Sequence, residues 1–141
     1  MLENYFNISE YCIESGPIPQ HIADAILVHH ILPMNMVRAE MKVPIYVSHS
    51  SGYRSEKHEK SKGRPGTSEH TFKYIWPTGQ GAADYTTHEP ATLERLFEKI
   101  LKYTKYTRVC IYPFHNFIHC DYKPSTTRTF TADKQKNWQR K

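Results

Sequence analysis

Two segments of this chain hold side chains able to do chemistry together. Ser68-Glu69-His70 is followed by Gly81-Ala82-Ala83-Asp84, and far downstream stands Phe117-Ile118-His119-Cys120-Asp121. Between them they offer two imidazoles and a carboxylate, the donor set that a catalytic Zn²⁺ takes while keeping its fourth position for water. Upstream lies Ser51-Gly52-Tyr53-Arg54-Ser55, whose Arg54 would put a fixed cation beside such a centre. A guanidinium fork matches a carboxylate with two parallel hydrogen bonds and stays charged at any working pH. What this combination could do is hydrolyse a substrate that carries a carboxylate.

Side chains alternate faces along a strand, so a strand over Phe117 to Asp121 puts Phe117, His119 and Asp121 on one side and Ile118 and Cys120 on the other. His119 with Asp121 then fits either a metal ligand with its orienting carboxylate or a ligand beside a general base. Taken alone, the pair also fits a surface His–Asp pair on a half-exposed sheet. Asp84 ends a run of small residues, Gly79-Gln80-Gly81-Ala82-Ala83, which lets backbone pack closely and a short carboxylate reach inward. His70 alone is a polar loop residue, and Arg54 alone could pair with Glu56 or Glu59 at the surface. His115, in the turn before the last strand, could reach the site as a donor behind the ligands. His21, His29, His30, His49, His58 and His88 have no comparable partners and read as core-edge or exposed groups.

The elements that must position these residues follow from periodicity and punctuation. At 141 residues the chain is one domain of ordinary size. Gly16-Pro17-Ile18-Pro19 marks a turn, and Pro19 suits the first turn of a helix over His21 to Leu32. Pro33 breaks or kinks that path, and Met34 to Met41 resumes it. Val43 to Ser48 is rich in strand formers, residues 50–69 read as a loop with at most one short helix, and a short strand is expected around Ala82 to Tyr85. After Pro90, Leu93, Leu96, Phe97, Ile100 and Leu101 form one apolar stripe of a helix. Arg108 to Tyr112 and Asn116 to Tyr122 read as two strands joined at Pro113-Phe114-His115. The fold class is therefore α+β, a small antiparallel sheet flanked by helices.

Composition narrows the function classes. No stretch is long and apolar enough for a membrane span. The segment Met1-Leu2-Glu3-Asn4-Tyr5 lacks the basic and apolar regions of a classical signal peptide, which predicts synthesis in the cytoplasm. Cys12, Cys110 and Cys120 are odd in number and form no CxxC pair, so they read as reduced thiols, with Cys120 in the core. The net charge of +5 is concentrated at the end of the chain, where six Lys or Arg between Lys123 and Lys141 face one acid, Asp133. Such a tail could favour anionic polymers, or be a solvated, frayed terminus from about residue 131. No nucleic-acid motif with fixed spacing accompanies it, which leaves nucleic acid an unlikely partner.

Taken together the segments resemble the zinc D-alanyl-D-alanine carboxypeptidase family, peptidase family M15, and in particular its small phage and bacterial members. Ser51-Gly52-Tyr53-Arg54-Ser55 is similar to the first family motif. Ser68, His70, Ala82 and Asp84 are similar to the second, and Phe117-Ile118-His119-Cys120-Asp121 to the third. The lead-in Tyr5-Phe6-Asn7-Ile8-Ser9-Glu10 and Val37-Arg38 before Pro44-Ile45 fit as well, so the similarity runs from residue 5 to about 130. The resemblance implies that His70, Asp84 and His119 hold Zn²⁺, that Arg54 holds the carboxylate of a peptidoglycan stem peptide, and that Ser68 makes a supporting hydrogen bond. It implies one M15-like domain over residues 1–141, on the sheet-and-helix fold that the family shares with the hedgehog signalling domain.

Two departures bear on function. The spacing from His70 to Asp84 is longer than the family's, and the extra segment with Tyr74 and Trp76 reads as an inserted turn that could touch substrate. Where several relatives carry an acidic general base ahead of the last histidine, this chain has Asn116. Asp121 is then the expected base, with His115 second. The expected reaction is hydrolysis of a stem-peptide amide, at D-Ala-D-Ala or at an internal L,D bond, by a phage lysin or virion component that reaches the wall without a signal peptide. The rival expectation is a wall-binding or virion structural domain that keeps the fold and the metal without catalysis.

Overall fold

The computed structural model describes residues 4–12, 18–48, 52–64, 68–72 and 79–141. Its helices are α1 (Gln20–Ile26), α2 (Leu32–Met41), α3 (Glu56–Ser61) and α4 (Leu93–Tyr103). Its strands are β1 (Tyr46–Val47), β2 (Ala82–Thr86), β3 (Arg108–Tyr112), β4 (Phe117–Asp121), β5 (Thr129–Ala132) and β6 (Trp138–Arg140). They form one sheet in the order β1-β2-β4-β3-β5-β6. The α+β class holds, and every pairing is antiparallel except that of β3 with β5.

Pro33 does not interrupt the long helical path. A π-helical turn, Leu27–Ile31, joins α1 to α2, with Pro33 in the first turn of α2. Proline cannot donate to the carbonyl four residues back, that of His29. That carbonyl instead accepts from the Tyr122 hydroxyl, so the freed acceptor is satisfied by the sheet side of the molecule.

The helices cover one face of the sheet. Ile26, Ile31, Met34 and Met41 from the long path and Leu96, Phe97 and Ile100 from α4 pack on Ala83, Tyr85, Val109, Ile111, Ile118 and Cys120. Each large apolar side chain taken from water contributes about 1.5–3 kcal/mol. A one-residue slip of β4 would expose Ile118 and Cys120 and drive His119 and Asp121 into the core, so burial fixes the register. His119 and Asp121 therefore stand on the opposite face, as alternation predicts, with Asp84 and Cys110 flanking His119 across the ladder.

A polar chain threads the core. Gln80 O can only accept, so His30 Nε2 donates to it at 2.7 Å, which leaves Nδ1 to accept from the Tyr106 hydroxyl, also at 2.7 Å. The Tyr106 oxygen then accepts from Tyr85 at 2.9 Å, and Tyr85 from Tyr11 at 2.8 Å. Three buried phenols and a buried imidazole are thus all satisfied. Burial pushes His30 down to about 3, in keeping with a neutral ring.

The end of the chain is folded and not a frayed tail. β5 pairs with β3 and β6 with β5, and the Arg128 guanidinium donates to the carbonyls of Leu101, Thr104 and Tyr106. The sequence pattern misses these strands because the segment is polar and its apolar residues, Phe130 and Trp138, are few. Among the described residues no helix is long and apolar enough to cross a membrane.

Candidate metal centre and its cleft

His70, Asp84 and His119 each offer one donor atom, and these atoms lie within 4.8 Å of one another. Asp84 comes from β2 and His119 from β4, directly paired in register. His70 comes from a single 3₁₀ turn, Glu69–Thr71, outside the sheet. Its placement depends on the Gly52-Tyr53-Arg54 segment. His70 Nδ1 donates to Gly52 O at 2.9 Å, and Arg54 N donates to His70 O at 2.8 Å. Gly52 has φ 76°, and a Cβ there would lie 2.4 Å from Tyr11 O, so only glycine permits this approach. Ser68 Oγ accepts from His70 N at 3.2 Å and so steadies the same turn.

These bonds decide tautomers. With its Nδ1–H spent on Gly52 O, His70 presents the Nε2 lone pair to the cleft, 3.6 Å from Asp84 Oδ1. His119 Nδ1 lies 2.9 Å from the same Asp84 oxygen, while its Nε2 lies 2.7 Å from Asp121 Oδ2. The His119 ring thus sits between two carboxylates, one on the donor-atom side and one behind. Burial alone would lower His119, but its bonds to Asp121 and Asp84 outweigh that and raise it to about 9. For Asp84 burial works upward, and the two imidazoles overcome it and hold the carboxyl far below the usual range.

Asp121 is fully buried and heavily engaged. Arg108 Nε donates to its two oxygens at 2.9 and 3.1 Å, Lys123 N donates to Oδ1 at 3.0 Å, and Oδ2 faces His119. Burial would raise it, yet His119 and Arg108 bring it down to about 2. Those contacts leave no oxygen turned to the cleft, which argues against the general-base role expected of Asp121 and fits the orienting role. His115 is not brought to the site either: it is exposed on the β3–β4 turn, where Nε2 donates to Lys134 O at 3.0 Å. Asn116 occupies the left-handed region at φ 54°, and its Nδ2 donates to Thr87 O at 2.9 Å. It is a turn residue there, among the few types that tolerate such a backbone.

An open cleft of about 560 Å³ covers the three donors. Arg54 lines it and also lies 3.4 Å from the buried Glu59, whose other oxygen accepts from Arg64 at 2.6 Å. Arg54 thus lines the cleft and faces Glu59, which is buried rather than at the surface. Arg108, Lys123 and Lys136 add positive charge, and Tyr112, Phe117 and Trp138 add aromatic surface.

This arrangement is matched by a family model. The Peptidase M15 model covers residues 4–121. The chain belongs to peptidase family M15. No curated protein and no solved structure matches it. M15 members are in general zinc peptidases, and the donor set fits that metal: two imidazole nitrogens and one carboxylate converge, with the His70 ring held from behind by Gly52 O and the His119 ring by Asp121. Of this M15 chain's cleft residues, Arg108, Lys123, Lys136 and Trp138 escape sequence reasoning. Arg108 was the most accessible, since a four-residue turn places it opposite Asp121. The expected substrate contacts of Tyr74 and Trp76 lie outside the described residues.

Proposed function

We propose that this M15 peptidase is a zinc enzyme that hydrolyses an amide bond in peptidoglycan stem peptides. The observation that carries this reading is the convergence of His70 Nε2, Asp84 Oδ1 and His119 Nδ1, with both imidazole rings oriented from behind, on the floor of a cationic cleft. Bound there, Zn²⁺ would supply an acidified water and polarise the scissile carbonyl. Asp121, backed by Arg108, holds the His119 ring in orientation and keeps its Nε2 proton. Arg54, fixed by Glu59, holds a carboxylate of the peptide so that the amide lies over the donor atoms. Ser68 keeps the His70 turn in place. A D-Ala-D-Ala terminus or an internal L,D bond both suit a cleft that is open and cationic. A phage lysin or virion component acting on the wall is the setting that agrees with such a substrate.

A second reading is a metal-containing wall-binding domain without catalysis. It is favoured by one feature: among the described residues that line the cleft, the only carboxylate and imidazoles are the three proposed ligands. Mass spectrometry of purified peptidoglycan, incubated with zinc-loaded protein and in parallel with chelator, separates the two. Metal-dependent release of D-Ala, or new amine ends, is the expected result and names the bond. An unchanged digest from folded, zinc-bound protein would leave the binding domain.

A further inference from the structure

Beyond Asp121, where the family match ends, the chain adds the β5–β6 hairpin, which forms one wall of the cleft through Lys136 and Trp138. The indole is held rigidly. Its Nε1 donates to Tyr112 OH at 2.6 Å, its ring packs on Phe130 at 5.0 Å, and it lies 5.5 Å from the His119 ring. Lys136 is unusual in its backbone, at φ 67°, a region where a Cβ is strained and glycine is the natural choice. The turn does not need a lysine side chain. It is built by Asp133, whose Oδ1 accepts from Gln135 N and Asn137 N at 2.9 Å each, with Lys136 N on Asp133 O at 2.9 Å. A strained residue kept where its side chain faces a reactive cleft points to use of that side chain.

The neighbouring charges sharpen the point. Lys134 lies over the Phe114 ring and Lys141 pairs with Glu94, whereas no ion pair holds the Lys136 ammonium among the described residues. Across the cleft, Arg54 and Arg64 share the buried Glu59 and Arg108 is bound to Asp121, while Lys123, like Lys136, has no ion pair among the described residues but does not lie on the hairpin. Lys136 is thus a cleft cation with its charge available to a ligand.

We propose that the β5–β6 hairpin is a specificity wall, in which Lys136 takes a free carboxylate of the peptide substrate and Trp138 packs against the chain beside it. This rests on the peptidase reading of the cleft, and it predicts preference for an acidic peptide over its amide. The test is calorimetric titration of the zinc-loaded full chain with L-Ala-γ-D-Glu-L-Lys-D-Ala-D-Ala and with the same peptide carrying D-isoglutamine, the recovered samples being analysed for cleavage. The acid should bind about fivefold more tightly, the range of one partly screened charge pair. Lys136→Gln should erase the preference and Lys136→Arg should keep it. Lys136→Gly should raise the melting temperature, because strain is relieved, while also erasing the preference. Equal binding of the two peptides, no binding of either, or a preference that survives Lys136→Gln would overturn the proposal. A preference that follows Lys136 without any cleavage would uphold the wall and remove the catalytic reading instead.

Discussion

The two faces of the sheet each carry a nearly enclosed histidine, and the pair behaves in opposite ways. On the core face His30 gives its proton to a carbonyl and accepts from a phenol, and burial takes it down to about 3. On the cleft face His119 is also penalised by burial, yet its bonds to Asp121 and Asp84 carry it up to about 9. Depth is similar, so the partners decide. Around His30 desolvation prevails, only partly offset by the bond to Gln80 O and the distant charge of Asp121, while around His119 two carboxylates in direct contact overturn it. The core network is a structural brace that ends at Gln80, just ahead of the strand bearing Asp84. The cleft network is a charged assembly in which, on the proposed reading, a metal ion would replace a proton.

The strongest way to break this contrast is to remove charge from the cleft face. His119→Ala should lower zinc affinity more than about a hundredfold and abolish hydrolysis, because a direct ligand is lost. Asp121→Asn should cost about 10–100-fold in zinc affinity, the usual price of losing a carboxylate behind a ligating imidazole. Competition with a chromogenic chelator reads both. If Asp121 were the general base instead, Asp121→Asn would bind zinc normally and lose only turnover.

A smaller effect is expected from the core face, and it falls on stability. Tyr106→Phe leaves His30 Nδ1 without its donor and should cost about 1–3 kcal/mol in chemical unfolding of the chelated protein, with little change in zinc affinity. The same face has a pH signature. His30 has a folded pKa of about 3 against an ordinary value of 6.5, so between those limits the unfolded chain binds the extra proton. Its contribution is complete above pH 6.5 and is lost as pH falls towards 3. Replacing His30 with Asn should flatten the slope of stability against pH in that window, and an unchanged slope would show that His30 does not stay neutral in the fold.

How much of this was legible beforehand depended on whether a residue's partner was local. The α4 stripe, the β4 alternation and the three ligand candidates were readable because period and motif are local properties. The M15 resemblance supplied the ligand set; strand spacing alone left His70 as a loop residue. What holds His70 was not legible, since the Gly52 carbonyl reaches it from a separate segment. The β5–β6 hairpin was missed for another reason. Its sequence is polar and basic, and it is held by side-chain bonds such as those of Arg128 rather than by an apolar stripe. Pro33 looked like a break because the acceptor it orphans is satisfied by Tyr122, from the far end of the chain.

The smallest expected effect concerns Asn116, three residues ahead of His119 in the turn before β4. If its role here is the turn, Asn116→Asp should leave hydrolysis within about twofold and lower stability by about 1 kcal/mol, because a carboxylate cannot donate to Thr87 O. Backbone strain should change little, since Asp tolerates the left-handed region nearly as well as Asn. Steady-state hydrolysis and urea unfolding of the same preparation read the two quantities together. A large rise in turnover would mean that position 116 reaches the reacting amide, and that the turn geometry opens when substrate binds. Unchanged turnover with reduced stability would keep Asn116 with the scaffold, and leave the chemistry to the charged face around His119.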